Sequence, residues 1–278
     1  MTTPATGANR PEADGDVPAL EARALGHSYG PREILGGIDF SIKRGEFVCI
    51  VGPSGVGKTT LLRCLSGLQK ATAGELLVLG TVVDEPQPGV AVVFQDYSRS
   101  LMPWTSVLHN VTLPLRANGL KTAEAEERAR QALAQVGLQP TVADLYPWQL
   151  SGGMQQRVAI ARALAYNPTV LLMDEPFASV DAQTRSDLED LVLRLQRELG
   201  LTVLLVTHDI DEAVYLSDRV VALSGSPARV ADIVDVPLGT ERDQIETKST
   251  HEFAEVRAKV HGLVRHAASS GPAASSAS

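Results

Sequence analysis

A glycine-rich loop constrains the fold of this 278-residue chain more than any other feature of its sequence. The apolar run Phe47–Val51 is typical of a buried parallel strand, and residues 52–60 follow it directly with the pattern G-x-x-x-x-G-K-S/T. Leucines at helical spacing then predict a helix. In such a unit the glycines leave backbone N–H groups free to surround phosphate oxygens, and the helix dipole favours the same anion. The sequence therefore predicts a nucleotide-phosphate site in an α/β fold.

Two side chains of this loop have predicted chemical roles. Lys58 would neutralise the β- and γ-phosphates of the nucleotide, and the hydroxyl of Thr59 would ligate Mg²⁺. A glycine-rich turn can also form without any ligand, but the flanking strand and helix argue against that alternative. The loop residues predicted to contact the nucleotide are Gly52, Pro53, Ser54, Gly55, Val56, Gly57, Lys58, Thr59 and Thr60.

A second apolar run, residues 170–173, ends in two adjacent carboxylates. Parallel sheets place their ligands at the carboxyl ends of the strands, so Asp174 is predicted to orient Mg²⁺ and Glu175 to polarise an attacking water. Adjacent strand residues point to opposite faces, which lets the two side chains take different roles. The alternative interpretation is a solvated acidic turn before Pro176.

The composition disfavours several classes of function. The formal net charge of −8 would repel a nucleic-acid backbone, so we expect no nucleic-acid partner. The longest apolar runs are far shorter than the ~20 residues that cross a bilayer. The two cysteines, Cys49 and Cys64, lack metal-site or disulfide spacing and are predicted to be small core residues.

A third segment, residues 150–157, reads LSGGMQQR and precedes a predicted helix. A serine followed by two glycines at a helix start makes a second anion site. The segment resembles the LSGGQ signature of the ABC ATPases, and the resemblance implies that Ser151, Gly152, Gly153 and Gln155 contact nucleotide. Two separate phosphate-binding helix starts in one chain indicate an active site that is shared between two copies.

Further positions match motifs of the same family. Tyr29 is similar to the aromatic residue that stacks on adenine, although a core tyrosine is the alternative. Gln95 resembles the Q-loop glutamine, which contacts Mg²⁺ and water, and is otherwise a surface amide. His208 resembles the switch histidine that contacts the γ-phosphate, although a lone histidine after a strand is usually structural. Asp181 matches the D-loop, which crosses to the other protomer. The resemblance implies catalytic roles for Glu175, His208, Lys58 and Gln95, and metal contacts from Thr59, Gln95 and Asp174.

The resemblance also implies a domain organisation. We expect a disordered tail over residues 1–18, an ABC ATPase domain over 19–240 and a helical insert at about 98–166. A helical extension is expected over 241–265, followed by a disordered tail over 266–278. The extension is predicted to pack onto the body through an apolar stripe, which comprises Phe253, Val256, Val260 and Leu263.

The family implies both fold and function. The expected fold class is α/β: a P-loop NTPase with a RecA-like parallel-sheet core, an antiparallel β subdomain and an inserted helical subdomain. The expected function is ATP hydrolysis coupled to import, with ATP and Mg²⁺ as cofactors. The implied partners are a second copy in an ATP sandwich, two transmembrane permease subunits and, indirectly, a periplasmic or extracellular solute-binding protein. The implied location is the cytoplasmic face of the inner membrane.

Two segments indicate a branch of the family. Residues 95–104 and 177–185 resemble the nitrate, sulfonate and taurine importers. Within the first segment, apolar side chains are predicted to form part of a groove for a permease helix, with a local core under the insert as the alternative. These groove residues are Tyr97, Leu101, Met102 and Trp104.

Two rival functions stay open at this point. One is a non-transport ABC ATPase that acts on DNA or ribosomes, but such members carry a long coiled coil or two cassettes. The segment between Gln95 and Leu150 is too short for the former, and the chain has one phosphate loop. The other rival is a regulatory module that senses ATP without turnover, which the presence of both Glu175 and His208 disfavours.

Overall fold

The computed structural model describes residues 17–96 and 100–269, and its strands form two sheets. One sheet has six strands in the order β10-β9-β3-β8-β7-β6, and the other has four in the order β2-β1-β4-β5. The strands are β1 (Leu20–Tyr29), β2 (Arg32–Ile42), β3 (Phe47–Val51), β4 (Ala73–Val78), β5 (Thr81–Val83), β6 (Val90–Val93), β7 (Val170–Asp174), β8 (Thr202–Val206), β9 (Arg219–Ser224) and β10 (Arg229–Asp235).

The six-stranded sheet forms the predicted parallel core. Strands β6, β7, β8, β3 and β9 run parallel, and β10 pairs antiparallel with β9 at one edge. Strands β3, β7 and β8 are buried at every position, as expected for apolar runs covered on both faces. The loops that leave the carboxyl ends of these strands therefore meet at one edge of the sheet, where open α/β sheets bind ligands.

Helices cover this sheet and build the insert. They are α1 (Lys58–Leu65), α2 (Val107–Ala117), α3 (Thr122–Gln135), α4 (Gly152–Ala165), α5 (Ala182–Leu199), α6 (Ile210–Leu216) and α7 (His251–Ser269). Helices α2, α3 and α4 pack on one another and form the helical insert. The N-cap of helix α3 is Lys121, whose side chain makes no capping bond.

The antiparallel sheet carries the predicted adenine-stacking residue at one strand end. Strand β1 lies between β2 and β4, and its pairing with β4 is interrupted by a bulge between Arg23 and Gly26. Gly74 lies opposite this bulge with a φ of +72°, and a Cβ there would lie 2.1 Å from the carbonyl oxygen of Ala24. The close approach requires glycine at residue 74. Tyr29 is the last residue of β1.

The C-terminal helix α7 packs on the body through its predicted apolar stripe. Phe253, Val256 and Val260 are buried, and Leu263 packs partly buried against the same core. The helix continues to Ser269, past the boundary expected at residue 265, because Ala267 is also buried and alanine favours helix. Of the tails predicted over residues 1–18 and 266–278, residues 1–16 and 270–278 lie outside the described residues. Within residues 17–96 and 100–269, no helix combines the length and apolarity needed to span a bilayer.

Candidate nucleotide site

The phosphate loop owes its shape to two glycines with different constraints. A Cβ at Gly52 would lie 2.9 Å from the carbonyl oxygen of Leu223 on β9, so the strand packs too closely for a side chain. Gly57 has a φ of +115°, which only glycine adopts readily, and it caps α1 directly before Lys58. The first backbone N–H groups of α1 are therefore presented at the carboxyl end of β3, where an anion is stabilised.

Lys58 is folded back onto this loop. Its Nζ donates hydrogen bonds to the carbonyl oxygens of Gly52 at 3.0 Å and Pro53 at 3.2 Å. Burial lowers the pKa of Lys58, while the nearby carboxylates of Glu175 and Asp174 act in the opposite direction. The ammonium group is thus held within the cradle that phosphate oxygens would enter.

Two oxygen ligands of the kind that Mg²⁺ prefers lie beside this cradle. The hydroxyl of Thr59 donates to Asp174 Oδ1 at 3.4 Å, and Asp174 is only 5% exposed. Burial raises the pKa of Asp174, with the Thr59 hydrogen bond acting against it. A bound divalent cation would stabilise the ionised carboxylate, and hydroxyl and carboxylate oxygens suit Mg²⁺. The residues therefore fit this ion.

Glu175 brings three of the predicted catalytic residues together. His208 Nδ1 lies 2.9 Å from Glu175 Oε2, and Gln95 Nε2 donates to the same oxygen at 3.3 Å. The residues follow the carboxyl ends of β7, β8 and β6, which are neighbours in the sheet. Glu175 has a φ of +41°, so its side chain leaves the direction of the strand. The side chains of Asp174 and Glu175 have different partners, as predicted. The left-handed backbone at Glu175 separates them, and not the alternation of a regular strand.

The signature segment forms a second cluster, on the helical insert. Ser151 caps α4, because its Oγ accepts a hydrogen bond from the backbone N–H of Met154 at 3.3 Å. Gln155 Nε2 donates to the carbonyl oxygen of Leu150 at 3.2 Å and braces the turn. A Cβ at Gly153 would lie 2.4 Å from Thr184 Cγ2 on α5. Glycine at residue 153 therefore lets α5 approach the start of α4.

Asp181 has a structural role that the sequence analysis missed. Its carboxylate caps α5, accepting from the backbone N–H of Thr184 at 3.0 Å and from the Thr184 hydroxyl at 2.7 Å. These hydrogen bonds lower the pKa of Asp181. An aspartate three residues before a threonine at a helix start is the signal that could have indicated the cap. The side chain is exposed, so its predicted contact with a second protomer stays sterically open.

Tyr29 is half-exposed, which contradicts the alternative of a core tyrosine. Its side chain is 49% exposed, and its hydroxyl donates to Gln69 Oε1 at 2.9 Å. The Gln69 amide in turn contacts His27 Nε2, and His27 Nδ1 lies 3.1 Å from the carbonyl oxygen of Lys70. The His27 ring also packs edge-on against Tyr29, with ring centroids 4.7 Å apart. The tyrosine is therefore held in place with one face available.

Replacing Tyr29 with alanine is expected to weaken ATP binding about fivefold, because a stacking face worth roughly 1 kcal/mol is lost. Tyr29→Phe keeps that face and loses only the hydrogen bond to Gln69, so it should bind ATP within about twofold of the parent. Calorimetric titration with ATP measures both. Equal affinities for the alanine and phenylalanine variants would contradict the stacking role.

The predicted permease groove is only partly assembled. Leu101 is 1% exposed and belongs to the main core, whereas Trp104 is 73% exposed. Met102 is half-buried, and the buried amide of Asn110 holds its backbone through bonds from Met102 N and to Met102 O. Tyr97 lies outside the described residues. Each interpretation thus fits part of the set: Leu101 is core, and Trp104 is available to a partner.

The chain is similar in sequence to a known protein family and to several of its members. A family model described as ABC transporter matches residues 35–178. The chain is 46% identical to an aliphatic sulfonates import ATP-binding protein of Xanthomonas axonopodis pv. citri, over 84% of this chain and 91% of the relative. It is 43% identical to a bicarbonate transport ATP-binding protein of Synechocystis, over 82% of this chain and 81% of the relative.

A solved structure has the same architecture. It is a dimeric ATP-binding cassette in a post-hydrolysis state, bound to ADP and Pi. The likeness has a TM-score of 0.70 at 33% identity and covers 79% of this chain and all of that one. The match supports the predicted fold class of a parallel core with an antiparallel β subdomain and a helical insert.

Proposed function

The chain belongs to the ABC transporter family as an ATP-hydrolysing importer subunit, and from this premise we propose both the roles of its site residues and its class of cargo. The observation that carries the roles is the meeting of Gln95 and His208 on one oxygen of Glu175. A carboxylate placed between an amide and an imidazole can orient and deprotonate a water molecule. The proposed reaction is in-line attack of that water on the γ-phosphate of ATP.

The side chains divide the work of this reaction. Glu175 accepts the proton of the water. His208, whose Nδ1 lies 2.9 Å from Glu175 Oε2, is proposed to contact the γ-phosphate and to order the water. Lys58 stabilises the negative charge that builds on the phosphate oxygens. Thr59, Gln95 and Asp174 would hold Mg²⁺, which supplies further positive charge at the same oxygens.

The second cluster is proposed to act on a different copy of the chain. Ser151, Gly152, Gly153 and Gln155 present a capped helix start to the triphosphate of the partner, so that two ATP molecules lie between two protomers. Such mutual docking gives a two-fold symmetric dimer. Loss of the bridging γ-phosphate on hydrolysis would let the dimer open. Asp181 is proposed to contact the phosphate loop of the partner.

The proposal also covers the domain organisation, the partners and the cargo of the chain. Residues 19–240 form the ATPase domain, with the insert at about 98–166, and residues 241–265 form the extension. The dimer binds two permease subunits at the cytoplasmic face of the membrane, and a solute-binding protein delivers cargo to them. The cargo is proposed to be a small oxyanion, because the relatives described above are named for aliphatic sulfonates import and for bicarbonate transport.

Reconstitution with a permease tests the function. The full chain, copurified with the permease pair and placed in vesicles, is expected to release phosphate and to accumulate a labelled oxyanion only when ATP is supplied. Sulfonate, bicarbonate and nitrate are the cargoes to compare. Phosphate release that responds to DNA or ribosomes and not to the permease would favour the non-transport alternative. Binding of ATP without any phosphate release would favour the sensing module.

A further inference from the structure

A buried carboxyl group lies on α6, the helix that follows the switch histidine. Glu212 on α6 is 5% exposed, and its Oε1 has no hydrogen-bond partner within the described part of the chain. The side chain of Thr207, which is 2% exposed and immediately precedes His208, lies near enough to lower the pKa of the carboxyl group by hydrogen bonding, against the effect of burial. A buried carboxylate with so few partners is costly, whereas a neutral carboxylic acid suits this environment.

The residues on both sides of His208 are fixed by this group and its neighbours. The backbone N–H of Asp209 donates to Thr207 Oγ1 at 3.0 Å, and Asp209 Oδ1 caps α6 by accepting from Glu212 N at 3.2 Å. Asp209 Oδ2 lies 3.4 Å from Arg185 Nη1 on α5. The His208 side chain itself is 63% exposed, with Glu175 as its partner on the catalytic side. The backbone on either side of His208 is therefore held by the contacts of Thr207 and Asp209.

The C-terminal segment contacts a second buried carboxylate, which acts electrostatically on Glu212. Glu189 on α5 is 2% exposed, and its Oε2 accepts from Gln244 Nε2 at 3.0 Å and lies 3.4 Å from Lys248 Nζ. Lys248 also lies 4.6 Å from the centre of the Tyr215 ring on α6. Burial raises the pKa of Glu189, and the charge of Lys248 acts against that shift. Two residues of the extension thus set the charge next to Glu212.

We propose that Glu212, in its neutral form, is a positioning residue for His208, and that the C-terminal segment supports it by neutralising Glu189 through Lys248 and Gln244. The inference rests on the role proposed for His208 in hydrolysis. It gives the extension a function in this reaction: the segment keeps the switch histidine aligned with Glu175.

The positioning role of Glu212 should depend on pH, because its carboxyl group can lose a proton. Burial, assisted by the negative charges of Glu189 and Asp209, raises the pKa of Glu212 to about 8. Below that value the folded protein holds Glu212 protonated, and above it a carboxylate forms beside two others. Because this pKa is raised on folding, stability is lost as the pH rises through about 8. The titratable and charged groups that face Glu212 are Arg185 and Glu189 on α5, Asp209 on α6 and Cys49 on β3, with Lys248 acting through Glu189.

The pH profile of ATP hydrolysis by the full chain is the first test. The kcat of the parent is expected to fall by up to about tenfold per pH unit above about pH 8. Glu212→Gln keeps an acceptor for Thr207 and cannot ionise, so its alkaline limb should move to higher pH. Glu212→Leu loses the acceptor and should lower kcat about tenfold with an unchanged KM for ATP. An alkaline limb that is the same in the parent and in Glu212→Gln overturns the proposal, even if the leucine variant does not fold.

A charge-rescue experiment tests the part played by the extension. Lys248→Met leaves the buried Glu189 without its cation and is expected to lower kcat about fivefold. Adding Glu189→Gln removes the unpaired negative charge, and this double variant should regain most of the lost kcat. Lys259→Met is the matched control, since Lys259 lies on the same C-terminal segment and pairs at the surface with Asp232 of β10, at 3.7 Å. A double variant no better than Lys248→Met, or an equal loss in Lys259→Met, contradicts the proposed coupling.

One further variant separates this inference from the proposed function. His208→Ala is expected to abolish most of the phosphate release. If His208→Ala hydrolyses ATP at the parental rate, the proposed role of the histidine fails, and the positioning role of Glu212 fails with it. If His208→Ala is inactive while the Glu212 variants match the parent at every pH, only the present inference is refuted.

Discussion

Replacing Glu175 with glutamine is expected to lower kcat for ATP hydrolysis by about a thousandfold, because a general base contributes roughly this much to such a step. The glutamine keeps the size of the side chain, and its carbonyl oxygen can still accept from Gln95 Nε2, which now lies 3.3 Å from the carboxylate. The phosphate loop is not altered, so ATP affinity should stay within about threefold of the parent. Phosphate release under saturating ATP and equilibrium ATP binding measure the two effects.

The same variant should also change the oligomeric state. If hydrolysis opens the dimer, Glu175→Gln incubated with ATP should elute from gel filtration as a stable dimer, whereas the parent returns to monomer. Glu198→Gln is the matched control, since Glu198 is an exposed carboxylate that pairs with Arg194 on the surface of α5. Undiminished phosphate release by Glu175→Gln would show that another group acts as the base.

Local patterns of the sequence were sufficient to predict the phosphate loop and its sheet. The strand Phe47–Val51 has the predicted bounds, and Val170–Asp174 differs from the predicted run by a single residue at its end. These predictions succeed because the determinants are local: an apolar run makes a buried strand, and Gly57 at a left-handed turn starts the next helix. The order of strands in the sheet then brings the acidic pair to the phosphate loop.

The contacts between distant segments could not be predicted in the same way. Gly153 and Thr184 touch only because α5 packs across the start of α4, and no local pattern encodes that distance. Half-buried Lys248 pairs with the buried carboxylate of Glu189 and so bridges the extension and α5. Glu212 looks like an ordinary polar residue in the first turn of a helix, and only the fold reveals that it is buried. Such roles depend on tertiary packing, which periodicity does not determine.

The residues around Tyr29 and Glu175 lie between these two cases. The acidic end of a strand indicated Glu175 and the resemblance to the family indicated Tyr29, but neither showed what holds these side chains. Tyr29 is positioned by a side chain after α1, and Glu175 by a backbone conformation that glutamate seldom adopts. Strain of this kind is found at functional sites, where the surrounding structure enforces it. The sequence therefore indicated which side chains meet at the site, but not the conformations that hold them there.

Replacing Ser151 with arginine is expected to abolish ATP-dependent dimerisation and to lower phosphate release by about a hundredfold or more, because the signature helix would no longer fit over the triphosphate of the partner. Ser151 is exposed at the start of α4, so the arginine can be accommodated within its own protomer. ATP binding to that protomer should be unchanged, since the residues proposed to bind it lie in the phosphate loop. Gel filtration with ATP and calorimetric titration distinguish the two properties.

Two control variants separate the partner contact from the helix cap. Ser151 Oγ accepts from Met154 N at 3.3 Å, so Ser151→Ala and Ser151→Arg should lose a similar stability of about 1 kcal/mol. Only the arginine variant should lose the dimer completely, because alanine leaves the partner's triphosphate room to approach. Thr122→Arg places the same side chain at the exposed start of α3, on the same insert, and should dimerise normally. If Ser151→Arg still forms dimers with ATP, the nucleotide is not shared between two copies through this helix, and the proposed cycle is wrong.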